Sequence, residues 1–273
     1  MPEMLIMGRI AAMNDQVQRK KFSLSLLLFE FRNVTGNPYV HIFGIGMPML
    51  LAVILARVMA SQIPNEEILS TAITSIFLGT GAMIPLAIIF IGYAATYSQE
   101  LEKGIPQRLE LFGIDAGMTI INRIISELAF LVCSFVIYFA VGIFVLDIKA
   151  PTASGLIWYI VCIVVLGIIS FSLAHAIALF FKKFGVVYSI VMMLYFGIMI
   201  VSGMMGISYE MLPSAVQAVA RLLPTMYIQK DFADIWLGKG YNFMPMLQAY
   251  LFTGALSGIL LLISLKRNAR KVA

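Results

Sequence analysis

Charge is scarce in this chain. Only 12% of its 273 residues are Asp, Glu, Lys or Arg, while 61% are hydrophobic. Soluble domains carry about 25% charged and about 45–50% apolar residues. A soluble fold of this length has no core large enough to hide so much apolar surface, whereas a bilayer accepts it directly. Cysteine is scarcer still: Cys133 and Cys162 lie in separate apolar runs, which excludes a disulfide framework and a paired-cysteine metal site. No G-x-x-x-x-G-K-[ST] phosphate loop occurs, and no polar stretch is long enough to fold as a nucleotide-binding domain. A cleaved leader is not expected either. The first apolar patch, Phe22 to Phe29, is short, is closed by Glu30 and Arg32, and is followed by no small-x-small site.

What remains is long apolar runs. Six stretches approach the roughly 20 residues that cross a bilayer as a helix: Val40–Ala60, Ala72–Tyr97, Thr119–Leu146, Gly155–Phe181, Val186–Met205 and Phe243–Leu265. Open strand edges are not tolerated in lipid, and the alternation of a transmembrane barrel is missing, so these spans read as helices. The expected fold is all-α and polytopic, a single domain over residues 1–273. It divides into an N-terminal segment (1–38), a six-span core (39–267) and a short tail (268–273).

The net charge of +5 does not point to nucleic acid, because its placement is one-sided. Fourteen of the nineteen Lys and Arg residues fall on one side: before span 1, between spans 2 and 3, at Lys182 and Lys183, and after span 6. Arg57, Lys149, Arg221, Lys230 and Lys239 fall on the other. The positive-inside rule then places both termini in the cytoplasm. Ahead of span 1, Phe22 to Asn33 mixes apolar residues with Glu30 and Arg32, as in an amphipathic helix lying on the inner membrane surface. Gly36, Asn37 and Pro38 break it.

Two loops stand out. Ser98 to Asp115, between spans 2 and 3, alternates charge with leucine. Gly206 to Asn242, between spans 5 and 6, is too apolar for a free loop. Leu212, Val216, Val219, Ala220 and Leu223 recur there at helical spacing, with Pro213 and Pro224 near the two ends. This predicts a short external re-entrant hairpin, with span 5 breaking at Gly203 and Gly206.

The ordered combination resembles the transmembrane permease of type-2 ATP-binding-cassette (ABC-2) exporters. The residues that carry the resemblance are Glu100-Leu-Glu-Lys-Gly-Ile-Pro-Gln-Arg-Leu109 in the first loop, then Ser202-Gly-Met-Met-Gly206, Met211-Leu-Pro213 and Leu222-Leu-Pro224. In that family the first loop usually reads Glu-(Lys/Arg)-(Glu/Gly)-Thr; here Ile105 and Pro106 follow Gly104. The resemblance implies a half-transporter that pairs with a second permease, as homodimer or heterodimer. A cytoplasmic ATPase on a separate chain would hold ATP and Mg, with no cofactor on this chain. It also implies that Glu100, Leu101, Lys103, Gly104, Arg108 and Leu109 couple that ATPase to the spans. Leu101, Ile105, Leu109, Leu111 and Phe112 would seat in an apolar groove on the ATPase, inside a polar rim. The N-terminal helix is a second candidate contact.

Ionisable residues inside spans are expensive and mark candidate functional positions. Glu127 in span 3 and His175 in span 4 fall about two turns in from the same side, at similar depth. Arg123, four residues before Glu127, is placed for a same-face ion pair with it. Spans 2 and 5 carry small residues, among them Gly79, Gly81, Gly92 and Gly203, suited to a partner permease, a substrate path or plain packing. The Glu66-Glu67 pair is not followed by the arginine of an intramembrane CAAX-type protease, and His41 and His175 are the only histidines. Apolar or amphipathic cargo, such as a peptide, a lipid-like molecule or a drug, suits these spans. An ion-coupled transporter is a rival reading, but no inverted repeat is visible. A non-transporting assembly or immunity factor is another.

Overall fold

The computed structural model describes residues 24–114, 116–146 and 148–269. Phe22, Asp115, Arg270, Lys271 and the basic residues Arg9, Arg19, Lys20 and Lys21 lie outside the described residues. Among those described, the chain is helical throughout, without a strand. Helix α1 is Leu24–Thr35. Spans 1 to 3 follow as α2 (Pro38–Gln62), α3 (Glu66–Glu102) and, after the short helix α4 (Ile105–Leu111), α5 (Ala116–Val145). Spans 4 and 5 are α6 (Ala153–Phe181) and α7 (Phe184–Val201). Three short helices precede span 6: α8 (Ser214–Ala220), α9 (Pro224–Lys230) and α10 (Phe232–Trp236); span 6 is α11 (Met244–Ala269).

Span 2 is the axle of the bundle. Almost every residue from Phe77 to Ala95 is buried, with spans 1, 4 and 5 around it and α9 and α10 against its far half. It is also longer than its apolar run. Glu66 and Glu67, ahead of the apolar run that starts at Ala72, form its first turn. Asn65 caps that turn by accepting from the Glu67 and Ile68 N–H groups at 3.0 and 3.1 Å, and acidic residues there suit the helix dipole. At the other end the helix continues past Tyr97 to Glu102, absorbing the first part of the expected loop.

Spans 1 and 2 each contain a widened, π-helical stretch, Ile42–Gly46 and Leu86–Tyr93. Both adjoin a proline, Pro48 and Pro85. Proline offers no N–H and crowds the carbonyl one turn back; before Pro48 the widening accommodates this, while before Pro85 that position is Gly81, where the first helical stretch of span 2 ends, and the widening follows the ring. The small residues of span 2 serve contacts within this chain rather than a partner. A Cβ on Gly81 would stand 2.3 Å from the Tyr159 hydroxyl, and one on Gly92 2.5 Å from Val40. Buried hydroxyls pin the same region: Tyr159 donates to the Leu78 carbonyl at 2.9 Å and Tyr138 to the Phe77 carbonyl at 2.8 Å. Cys162 is buried and Cys133 exposed, both as free thiols.

Span 5 ends at Val201, four residues short of the apolar run, and Gly203 and Gly206 both take left-handed backbone (φ 80° and 86°). Pro224, read as the end of one helix, starts another, at a first-turn position where its missing N–H costs nothing.

Candidate functional site: the α4 corner and a buried ion cluster

The turn between spans 2 and 3 is built by two glycines. Gly104 (φ 65°) ends span 2 and opens α4, and Gly113 (φ 77°) closes α4. Left-handed backbone suits glycine because it has no Cβ. At the second of these the Gly113 N–H reaches the Glu110 carbonyl at 2.9 Å, and the Ile114 N–H reaches that of Leu109 at 3.0 Å. That double bond is the Schellman closure of a helix. Ile105 and Pro106 occupy the first turn of α4, where proline is pre-organised. The departure from the usual family pattern at these two positions therefore starts a helix.

The corner sorts the candidate coupling residues into two sets. Glu100, Leu101 and Leu109 turn inward: Leu101 packs on the core, and Leu109 lines a small recess with Tyr97, Pro106, Ile120 and Arg123. Lys103 and Arg108 are exposed, together with Leu111 and Phe112, which are 87% and 78% accessible.

Behind the corner sits an ion cluster. Arg123, at the start of span 3, is 4% exposed. Its Nε donates to Glu30 Oε2 at 2.9 Å and its second terminal nitrogen to Glu30 Oε1 at 3.3 Å; the latter also reaches Glu100 Oε1 at 2.6 Å. The guanidinium stands 5.8 Å from the ring centres of both Tyr93 and Tyr97, within cation–π range. One arginine thus ties α1, the end of span 2 and span 3 together, and Ser126 Oγ adds a bond to the Leu27 carbonyl at 3.2 Å. Burial raises the Glu30 carboxyl above its ordinary value, and the Arg123 charge only partly pulls it back.

This corrects the expected pairing of Arg123 with Glu127. Glu127 is buried one turn further along span 3, and its Oε2 has no hydrogen-bond partner. His175 joins the same neighbourhood. Its Nδ1 shares a hydrogen bond with the Tyr93 hydroxyl, and its ring stacks on Tyr97 at 4.9 Å. Sequence reasoning missed Glu30, Tyr93 and Tyr97. The available signal was a lone acid inside the apolar run from Leu24 to Phe31.

Two further ties meet here. Glu102 Oε2 accepts the Phe184 N–H at 2.9 Å, at the start of span 5. Lys182, held in left-handed backbone (φ 56°), donates from Nζ to Asn268 Oδ1 of span 6.

At the opposite end of the bundle, a recess of about 240 Å³ opens between spans 1 and 2, the turn after span 5, and α9. Leu55, Met59 and Ile76 give it an apolar wall; Ser75, Ser208 and Gln229 give it a polar one. The Lys230–Glu210 ion pair (2.9 Å) stands at its rim. Among the described residues, no three His, Cys, Asp or Glu side chains converge as a metal site.

The family model described as ABC-2 type transporter matches residues 23–237. No curated protein and no solved structure matches the chain. The match runs from the start of α1 through α10, covering the buried cluster, the α4 corner, the first five spans and the recess at the opposite end. The chain belongs to the ABC-2 type transporter family, as a multi-pass membrane permease of six apolar spans.

Proposed function

We propose that this permease is the membrane half of an ATP-driven exporter. A separate ATPase docks at the α4 corner and carries the ATP and Mg; a second permease completes the channel. The α4 end faces the cytoplasm, as the placement of Lys and Arg implies, with α1 along the inner membrane face. The helices α8 to α10 form the outer hairpin. The cargo is an apolar or amphipathic molecule, in keeping with the mainly apolar lining of the outer recess and its polar wall.

The observation that carries this reading is the exposure of Leu111 and Phe112. They stand outside the apolar spans, at the end of a short helix closed by a Schellman turn. Burying one such side chain is worth about 1.5–3 kcal/mol, and aromatic anchors ringed by polar groups are what protein interfaces bury. Lys103 and Arg108 supply the rim. A push on α4 enters the bundle at Gly104, and the Arg123 cluster compels α1, span 2 and span 3 to move as one body.

The test is co-purification of tagged chain from its native membrane, followed by an ATPase assay of what accompanies it. An ATPase subunit is expected with the unaltered chain, and its recovery falls at least about 30-fold in a Leu111→Ala/Phe112→Ala variant, the effect of losing roughly 2 kcal/mol at an interface anchor. An ion-coupled transporter or an assembly factor brings down no ATPase.

A further inference from the structure

Span 5 is tied at both ends by specific polar contacts. At the α4 end, Lys183 precedes the helix in extended backbone (φ −124°, ψ 121°) and makes no side-chain cap. The first N–H groups of a helix have no partner inside it, and here Glu102 provides one for Phe184. A carboxylate at that end is also favoured by the helix dipole. At the far end, the Ser202 and Thr225 hydroxyls share a buried hydrogen bond of 2.6 Å, which fastens span 5 to α9. Between the two ties run 18 helical residues without a proline, about 27 Å of rigid rod. Beyond Ser202 the chain turns through Gly203 and forms one wall of the outer recess.

Glu100 and Glu102 are two residues apart in the last turn of span 2, and so project roughly 200° apart around its axis. Glu100 grips Arg123 of span 3, and Glu102 grips span 5. The same corner therefore acts on two different spans through two different carboxylates.

We infer that Glu102 is the positioning residue that carries movement of the α4 corner into span 5, and through span 5 to the outer recess, whose opening then follows the nucleotide state of the partner. This rests on the ATPase-driven reading. It separates the roles of the two acids: Glu100 keeps the inner body rigid, and Glu102 drives the rod.

The recess can be read by labelling. In the whole complex in native membranes, with Cys133 and Cys162 replaced by serine, a Ser208→Cys substitution puts one thiol on the recess wall. Its rate of reaction with a membrane-impermeant maleimide is measured without nucleotide and with ATP plus vanadate. The unaltered corner is expected to give a nucleotide-dependent rate. E102A is expected to shrink that response about five-fold, the size of a lost helix cap. E102Q keeps an acceptor for the Phe184 N–H and retains most of the response. E102K has similar reach and no acceptor; it behaves as E102A does and replaces it should E102A not accumulate. A full response in E102A and E102K overturns the inference while leaving the permease reading intact, and so does equal loss in E102Q. No nucleotide response with the unaltered corner overturns the ATPase-driven reading and this inference together.

Discussion

Replacing Arg123 by methionine keeps side-chain length and removes the one charge that pairs with Glu30 and Glu100 among the described residues. Glu30 and Arg123 are 1% and 4% exposed, and Glu100 is 14% exposed. Breaking a buried pair from one side costs about 3–5 kcal/mol, because a charge is left desolvated and alone. Here two carboxylates are orphaned, although Glu100 lies near enough to water to recover part of its hydration. On the soluble-protein scaling of about 2–4 °C per kcal/mol, the melting temperature in lipid nanodiscs should drop by roughly 10 °C. The triple variant Arg123→Met/Glu30→Gln/Glu100→Gln orphans no charge and should recover most of that loss, since neutral replacement of a whole buried ion cluster is often nearly neutral. Size-exclusion profiles after heating steps report both. A single variant within 2 °C of the unaltered chain would show that Arg123 does not hold the cluster together, as would a triple variant no more stable than the single one.

Three further outcomes follow from the geometry. Gly155→Ala places a Cβ 2.6–2.8 Å from backbone atoms of Ile235 and Trp236, which cannot rotate away. It should cost about 1–3 kcal/mol in the same heating assay, while Gly197→Ala, with nothing within 4 Å, should cost nothing. Glu30 binds its proton more tightly folded than unfolded, so its share of stability is greatest below about pH 4.5 and is lost as pH rises through the raised folded value; a pH series of melting curves should show a shallower decline over that window for Glu30→Gln. Glu127→Gln should leave insertion and melting unchanged yet lower the ATPase rate of the reconstituted complex, because a lone buried acid is retained in a span for function; an unchanged rate removes Glu127 from the mechanism.

The six spans were legible because crossing a bilayer demands long apolar runs and little else. The corner was legible only in part: Ile105 and Pro106 stood out as a departure from the family pattern, but the residue before a proline is biased away from helix, so the sequence did not show that Ile105 opens one. Span 2's start was not. Glu66-Glu67 reads as loop by hydropathy, while Asn65 and the helix dipole make those acids a good first turn. The cluster could be only half read. Arg123, Glu127 and His175 were visible as ionisable residues in apolar runs, but the acids that bind Arg123 are 93 and 23 positions away. The nearest acid in sequence, Glu127, was the natural guess and the wrong one. Helical periodicity shows which face a residue occupies, not which distant element covers that face. The Glu102 tie to Phe184, 82 positions apart, escaped for the same reason. The glycines of span 2 were conspicuous, yet only packing reveals that they make room for Tyr159 and Val40.

In the proposed mechanism a separate ATPase drives this permease through α4. Its most direct test is a photo-crosslinking amino acid placed at Leu111, the most exposed large apolar side chain of that helix, in the native membrane. A crosslink to an ATP-hydrolysing subunit is expected, with a yield that changes on adding ATP and vanadate, and none from a control site at Phe144 on span 3. Crosslinks to lipid alone at Leu111, with or without nucleotide, would contradict it.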